Sequence, residues 1–290
     1  MASDPDQSHS QSLSARLNPH QNDSFGLRLA SGAILGSVTL LAVYFGGAIY
    51  SALVAFMVVI MCFEWARMIF GAGHGAPFSL LAFSGAVAIA LASAGEYGIG
   101  YLVCILAGVP ILTFRQFSRS QRLWGALGVI YFLVPSIALL WIRAEVENGR
   151  GISLMLFAIV WAADSGAYGL GRLVGGPRLS PVLSPAKTWS GAIGGAALGA
   201  LAGVIAAPVV FPDAALPAMG LMGASLGLAS ILGDMCESGF KRYFGVKDMS
   251  GFIPGHGGVL DRLDGMIFAT TAMAAVLYGQ ILLGLITPSG

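Results

Sequence analysis

From Arg28 onward the chain alternates long apolar runs with short polar gaps. A helix needs roughly 20 apolar residues to cross a hydrocarbon layer, so runs of this length predict membrane spans. The pattern places about nine of them, at 29–46, 49–66, 78–95, 97–114, 124–142, 151–171, 190–210, 216–235 and 265–287. The first two share a stretch, 29–63, with no Asp, Glu, Lys or Arg. As one helix that stretch would rise about 52 Å, too long for a single crossing, and Gly46-Gly47 is the natural break. Residues 1–27 are rich in Ser, Gln, Asn, Asp and His and predict a disordered polar tail. They lack a basic segment followed by a short apolar stretch and a cleavage site, so the first span is expected to act as an uncleaved anchor. The expected division is a tail over 1–27, N-terminal membrane helices over 28–150 and C-terminal membrane helices and loops over 151–290. The predicted class is an all-α polytopic membrane protein with its active site at one membrane boundary.

Composition supports this reading. Only 10% of residues are charged and 56% are hydrophobic, where a soluble domain carries roughly 25% charge. A net charge of +1 excludes the basic surface that a nucleic-acid binder needs. Cys62, Cys104 and Cys236 show no metal-ligand spacing and read as reduced thiols. If the spans alternate from a cytoplasmic tail, every Lys and Arg except Arg143 and Arg150 falls in a cytoplasmic segment. That bias predicts a cytoplasmic tail and active site. A compact chain without an organelle presequence further suggests a bacterial inner membrane. Gly191, Gly195, Gly199 and Gly203 recur at every fourth position and line one helix face. Packing within the chain is the plainer reading of that ladder, and a homodimer contact is the sharper one.

The scarce charges are concentrated. All three lysines lie in two loops, Lys187 in one and Lys241 and Lys247 in the other. Asp234, Glu237, Asp248, Asp261 and Asp264 gather around the same loops, and Asp164 lies just inside the preceding span. Asp234 with Glu237, and Asp261 with Asp264, have the i, i+3 spacing that puts two carboxylates on one helix face. Carboxylates beside cations at a membrane edge suit Mg²⁺ and phosphate groups, because Mg²⁺ takes hard oxygen ligands from one or two carboxylates and completes its shell with substrate. Glu64 and Arg67, near the end of the second run, read as interfacial anchors. A transporter of a phosphorylated solute would also carry intramembrane carboxylates and glycine-rich helices. No internal repeat of the kind common in transporters is visible.

The stretch SGFKRYFGVKDMSGFIPGHGGVLDRLD, from Ser238 to Asp264, resembles the signature of the phosphatidate cytidylyltransferase (CDP-diacylglycerol synthase) family. Asp164, Gly171-Arg172, Ser184-Pro185 with Lys187-Thr188, and Leu232-Gly233-Asp234 with Glu237 are similar to it as well. The sequence departs at Ser190, where the family usually has Glu. The resemblance implies transfer of a cytidylyl group from CTP to phosphatidic acid, yielding CDP-diacylglycerol and pyrophosphate, with a different lipid phosphate as the alternative acceptor. It implies Mg²⁺, with a second cation as an open question. On this resemblance Asp234, Lys241, Asp261 and Asp264 are the expected catalytic residues. Asp164, Asp234 and Asp261 are the expected metal ligands. Arg172, Ser184, Lys187, Arg242, Lys247, His256, Gly257, Gly258 and Arg262 are expected to hold nucleotide and phosphates.

Overall fold

The computed structural model describes residues 19–253 and 257–284. Among the described residues ten α-helices follow one another: α1 Pro19–Phe45, α2 Gly47–Phe70, α3 Gly75–Ser93, α4 Tyr97–Leu112, α5 Arg119–Gly128, α6 Val134–Glu145, α7 Gly149–Leu173, α8 Trp189–Val210, α9 Leu216–Tyr243 and α10 Leu260–Leu282. A π-helical turn, Val129–Leu133, joins α5 to α6, so Arg119–Glu145 forms one span. Seven helices are long and apolar enough to cross a membrane, and two shorter apolar helices, Ala30–Phe45 and Tyr97–Leu112, accompany them. Each apolar run of the sequence thus becomes a helical segment.

The break between α1 and α2 falls at Gly46, whose φ is +67°. Arg143 fills the place a side chain would need there, and its Nε and Nη2 donate to the Val43 and Tyr44 carbonyls at 2.7 and 3.2 Å. Those carbonyls are the orphans of a helix end, and the guanidinium satisfies them.

Three expectations need correction. Helix α1 begins at Pro19, so residues 19–27 are helical rather than part of a tail; residues 1–18 lie outside the described region. Helix α9 continues to Tyr243 and α10 starts at Leu260, both beyond the limits read from hydropathy. Apolar runs stop at the first charges, but a helix continues where charges find partners, as Lys241 does with Glu237 one turn back. The loop between α7 and α8 also forms an antiparallel hairpin, β1 Arg178–Ser180 with β2 Ser184–Thr188, which hydropathy does not announce.

Helices α7, α8 and α9 pack through glycines. A Cβ at Gly191 would lie 2.9 Å from the Ala167 oxygen, and one at Gly195 would lie 3.0 Å from the Ala163 oxygen, both on α7. Cβ atoms at Gly199 and Gly203 would lie 2.7 and 2.5 Å from the Gly223 and Met219 oxygens of α9. The ladder is therefore covered by helices of the same chain, and its small residues permit close backbone approach. The same device sets Gly233 of α9 against the Asp264–Gly265 backbone of α10. That crossing places Asp234 beside Asp264.

Candidate active site at the ends of α7, α9 and α10

Asp164 of α7 and Asp234 of α9 each line two cavities. The first, about 500 Å³, runs along the hairpin and is completed by Tyr168, Arg172, Ser184, Lys187 and Thr188. The second, about 520 Å³, has a polar side made by Lys241, Asp248, Asp261, Arg262 and Asp264. Its other side is largely apolar, from Leu35, Gly36 and Thr39 of α1 and Phe157, Val160 and Trp161 of α7. The two carboxylates thus stand on the wall that both cavities share.

The cations are held by local chemistry. Lys187 Nζ pairs with Asp234 Oδ2 at 2.6 Å and donates to the Ile231 carbonyl at 3.2 Å. This joins β2 to α9. Thr188 caps α8 by accepting from Gly191 N at 3.1 Å. Ser190, the departure from the family pattern, bonds Thr188 and donates to the Gly175 carbonyl, tying the end of α7 to the start of α8. Arg172 donates to Tyr168 Oη at 2.7 Å on the cavity wall. Arg242 donates to the Leu183 carbonyl and so fastens the end of α9 to the hairpin.

Lys241 Nζ lies between Asp261 Oδ1 at 2.7 Å and Glu237 Oε1 at 3.3 Å, and Glu237 is fully buried. Asp261 Oδ2 accepts from Met249 N at 3.0 Å and Gly258 N at 2.8 Å. An aromatic group supports this end of α9. Trp65 and Tyr131 pack on Phe240, and Trp124 packs on Phe240, Tyr243 and Phe244.

The structure brings together Asp164, Asp234, Asp264, Lys187, Arg172 and Ser184, with Lys241, Asp261 and Arg262 on the second cavity. It does not gather every expected residue. Lys247 is exposed and, with Arg242, lines neither cavity. His256 lies outside the described residues. Gly257 and Gly258 face the chain's own carboxylates: Cβ atoms there would lie 2.9 Å from Asp261 Oδ2 and 2.6 Å from Glu64 Oε1.

Glu64 is the residue that the sequence misassigned. It is fully buried rather than interfacial. Its carboxylate accepts from Ser250 Oγ at 2.5 Å, Val259 N at 2.9 Å and Leu260 N at 2.8 Å. Two signals pointed to this. A lone carboxylate inside an apolar helix must find partners. A helix entered through Gly257-Gly258-Val259 has no side chain of its own to cap its first amides.

Among the described residues, no three carboxylate, histidine or cysteine groups converge to hold a metal ion. Asp164, Asp234 and Asp261 do not form such a three-ligand group; Asp261 bonds Lys241 and two backbone amides, and Asp234 bonds Lys187. Asp164 accepts a long bond from Ser230 Oγ, 3.4 Å, and feels the charge of Asp234. Two neighbouring carboxylates fit the donor set of Mg²⁺, which takes one or two protein carboxylates and fills its shell with phosphate oxygens and water.

The sequence model of the cytidylyltransferase family matches residues 26–279. A phosphatidate cytidylyltransferase of Brucella suis is 37% identical over 259 residues, covering 87% of this chain and 91% of its own. One of Pseudomonas aeruginosa is 35% identical over 246 residues, covering 80% and 89%. One of Staphylococcus aureus is 37% identical over 175 residues, covering 60% and 65%. With a match that runs from α1 into α10 and takes in both cavities, the chain belongs to the cytidylyltransferase family.

Proposed function

We propose that the protein transfers a cytidylyl group from CTP to phosphatidic acid, making CDP-diacylglycerol and pyrophosphate for phospholipid synthesis. The observation that carries this reading is the position of Asp164 and Asp234 on both cavities, one carrying Arg172 and Lys187 and the other Lys241 and Arg262. The hairpin cavity, with Arg172, Ser184 and Lys187, suits the nucleotide triphosphate. The second cavity suits a lipid phosphate, with the acyl chains along α1 and α7 and the phosphate toward Lys241 and Arg262.

The acceptor is a phosphate monoester whose second pKa is near 6, so at neutral pH it is largely a dianion. It needs no covalent enzyme intermediate. A phosphate oxygen of the lipid forms a bond to the α-phosphorus of CTP. The bond from that phosphorus to the bridging oxygen of the β-phosphate breaks, and pyrophosphate leaves with the electron pair. The barrier is the meeting of two polyanions, and fixed cations lower it by opposing the charge. Lys187 and Arg172 would act on the triphosphate, and Lys241 and Arg262 on the acceptor. Asp164 and Asp234 would hold Mg²⁺, which when bound neutralises phosphate charge and stabilises the leaving pyrophosphate. Asp261 keeps Lys241 charged and in place rather than binding the metal, and Asp264 supports Asp234. The bias of Lys and Arg toward this end supports a cytoplasmic site, and bacterial relatives support an inner-membrane location.

Purified protein given CTP, Mg²⁺ and phosphatidic acid is expected to release pyrophosphate and CDP-lipid together. Absence of both products, or equal turnover with an unrelated lipid phosphate, would overturn this assignment.

A further inference from the structure

The geometry points to Glu64 as a positioning residue for the transfer reaction, acting from α2 on the start of α10 and on the loop before it. This inference rests on the activity proposed above.

Glu64 sits 186 residues before Ser250 and 195 before Val259, yet bonds both. It is fully buried, and no lysine or arginine is paired with it at ion-pair distance among the described residues. Its charge is instead met by the first amides of α10, where the helix presents unpaired N–H groups and a positive dipole end. Gly258 has no side chain because Glu64 occupies that space. Asp261, the residue after Leu260, accepts from Met249 N and Gly258 N. The two carboxylates therefore staple both ends of the Met249–Gly258 loop to the N-terminus of α10. Asp261, pinned in this frame, sets the position of Lys241, and α10 carries Asp264 and Arg262 on the cavity wall. Glu64 touches none of the cavity itself. Its effect on the reaction passes through the loop and the helix start.

The chemistry of the site says which changes matter. Glu64→Gln keeps size but places an NH₂ against an amide donor, so one of the two backbone bonds is lost. Glu64→Asp keeps the charge and shortens the reach by one methylene. Ser250→Ala removes one donor and leaves the helix amides paired.

The test is steady-state kinetics on the full-length protein in detergent, with CTP, Mg²⁺ and phosphatidic acid, alongside amide exchange by mass spectrometry. Glu64→Gln is expected to stay monodisperse and to lose about 100-fold in kcat, the scale of a misplaced reactive group, with both KM values unchanged. Ser250→Ala should lose roughly 10-fold, the equivalent of one hydrogen bond to a charged group. Glu64→Asp should recover part of the Glu64→Gln loss. Amides at 259 and 260 should exchange faster in Glu64→Gln, with α8 unaffected. Wild-type kcat per folded molecule in Glu64→Gln would overturn the inference. If Glu64→Gln does not fold, Ser250→Ala decides, and wild-type kcat there overturns it. A wild-type protein without CDP-lipid synthesis would refute the proposed activity instead, and the exchange experiment, which needs no substrate, would still decide whether Glu64 holds the loop.

Discussion

Lys241 bears on both stability and chemistry at the residue scale. It is mostly buried between Glu237 and Asp261. Replacing it with methionine removes the cation between Asp261 and fully buried Glu237, and loss of one partner of a buried pair costs about 3–5 kcal/mol. Lys241→Met is therefore expected to lower the thermal unfolding midpoint clearly and to abolish turnover. Asp261→Asn should insert normally and lose about 10²- to 10³-fold in kcat, because a preorganised charge at the site is lost. Asp234→Asn should raise the Mg²⁺ concentration needed for half-maximal rate, and removing Mg²⁺ with a chelator is expected to stop wild-type turnover. A magnesium titration of the variant checks this, and an unchanged midpoint would remove Asp234 from the metal. Asp164, Asp234, Asp261 and Lys241 all line the second cavity, and their convergence was legible in the sequence because charges in an apolar chain are few. Their pairing was not. Nothing in the spacing says that Asp261 takes Lys241 while Asp234 takes Lys187 from a hairpin.

Between elements, glycine sets the distances. Gly199 and Gly223 bring α8 and α9 into backbone contact, and Gly233 does the same for α9 and α10. A Gly199→Val variant must separate two helices, and overpacking of this kind costs about 1–3 kcal/mol. It should lower stability in a detergent melt while largely sparing KM. Gly233→Val should behave differently, because it pushes directly on the Asp264 backbone. Its expected loss is in kcat, measured in the same assay. The existence of the helices was readable from hydropathy, which reports burial in lipid. Their ends were not, because the ends of α9 and α10 are fixed by ion pairs and by Glu64, whose partners lie far away in sequence. The hairpin was hidden for a similar reason: its Lys187 and Arg178 strands are short, polar and held by β2's contact with α9.

Across the whole molecule, the ends of α7, α9 and α10 collect the charged residues, and the remaining apolar helices pack around them. The second cavity reaches from Asp164 to Gly36 of α1, beside Trp161. Gly36→Phe would fill that apolar side, so it is expected to raise KM for phosphatidic acid and leave KM for CTP unchanged. The central claim is that both substrates meet at Asp164 and Asp234. The most direct measurement uses CTP labelled at the α-phosphorus, with phosphatidic acid and Mg²⁺, in wild type and Asp234→Asn. The account predicts that label passes into the organic phase as CDP-diacylglycerol, one pyrophosphate for each, and that Asp234→Asn loses both products together. Label retained in water as CMP, or transfer undiminished in Asp234→Asn, would contradict it.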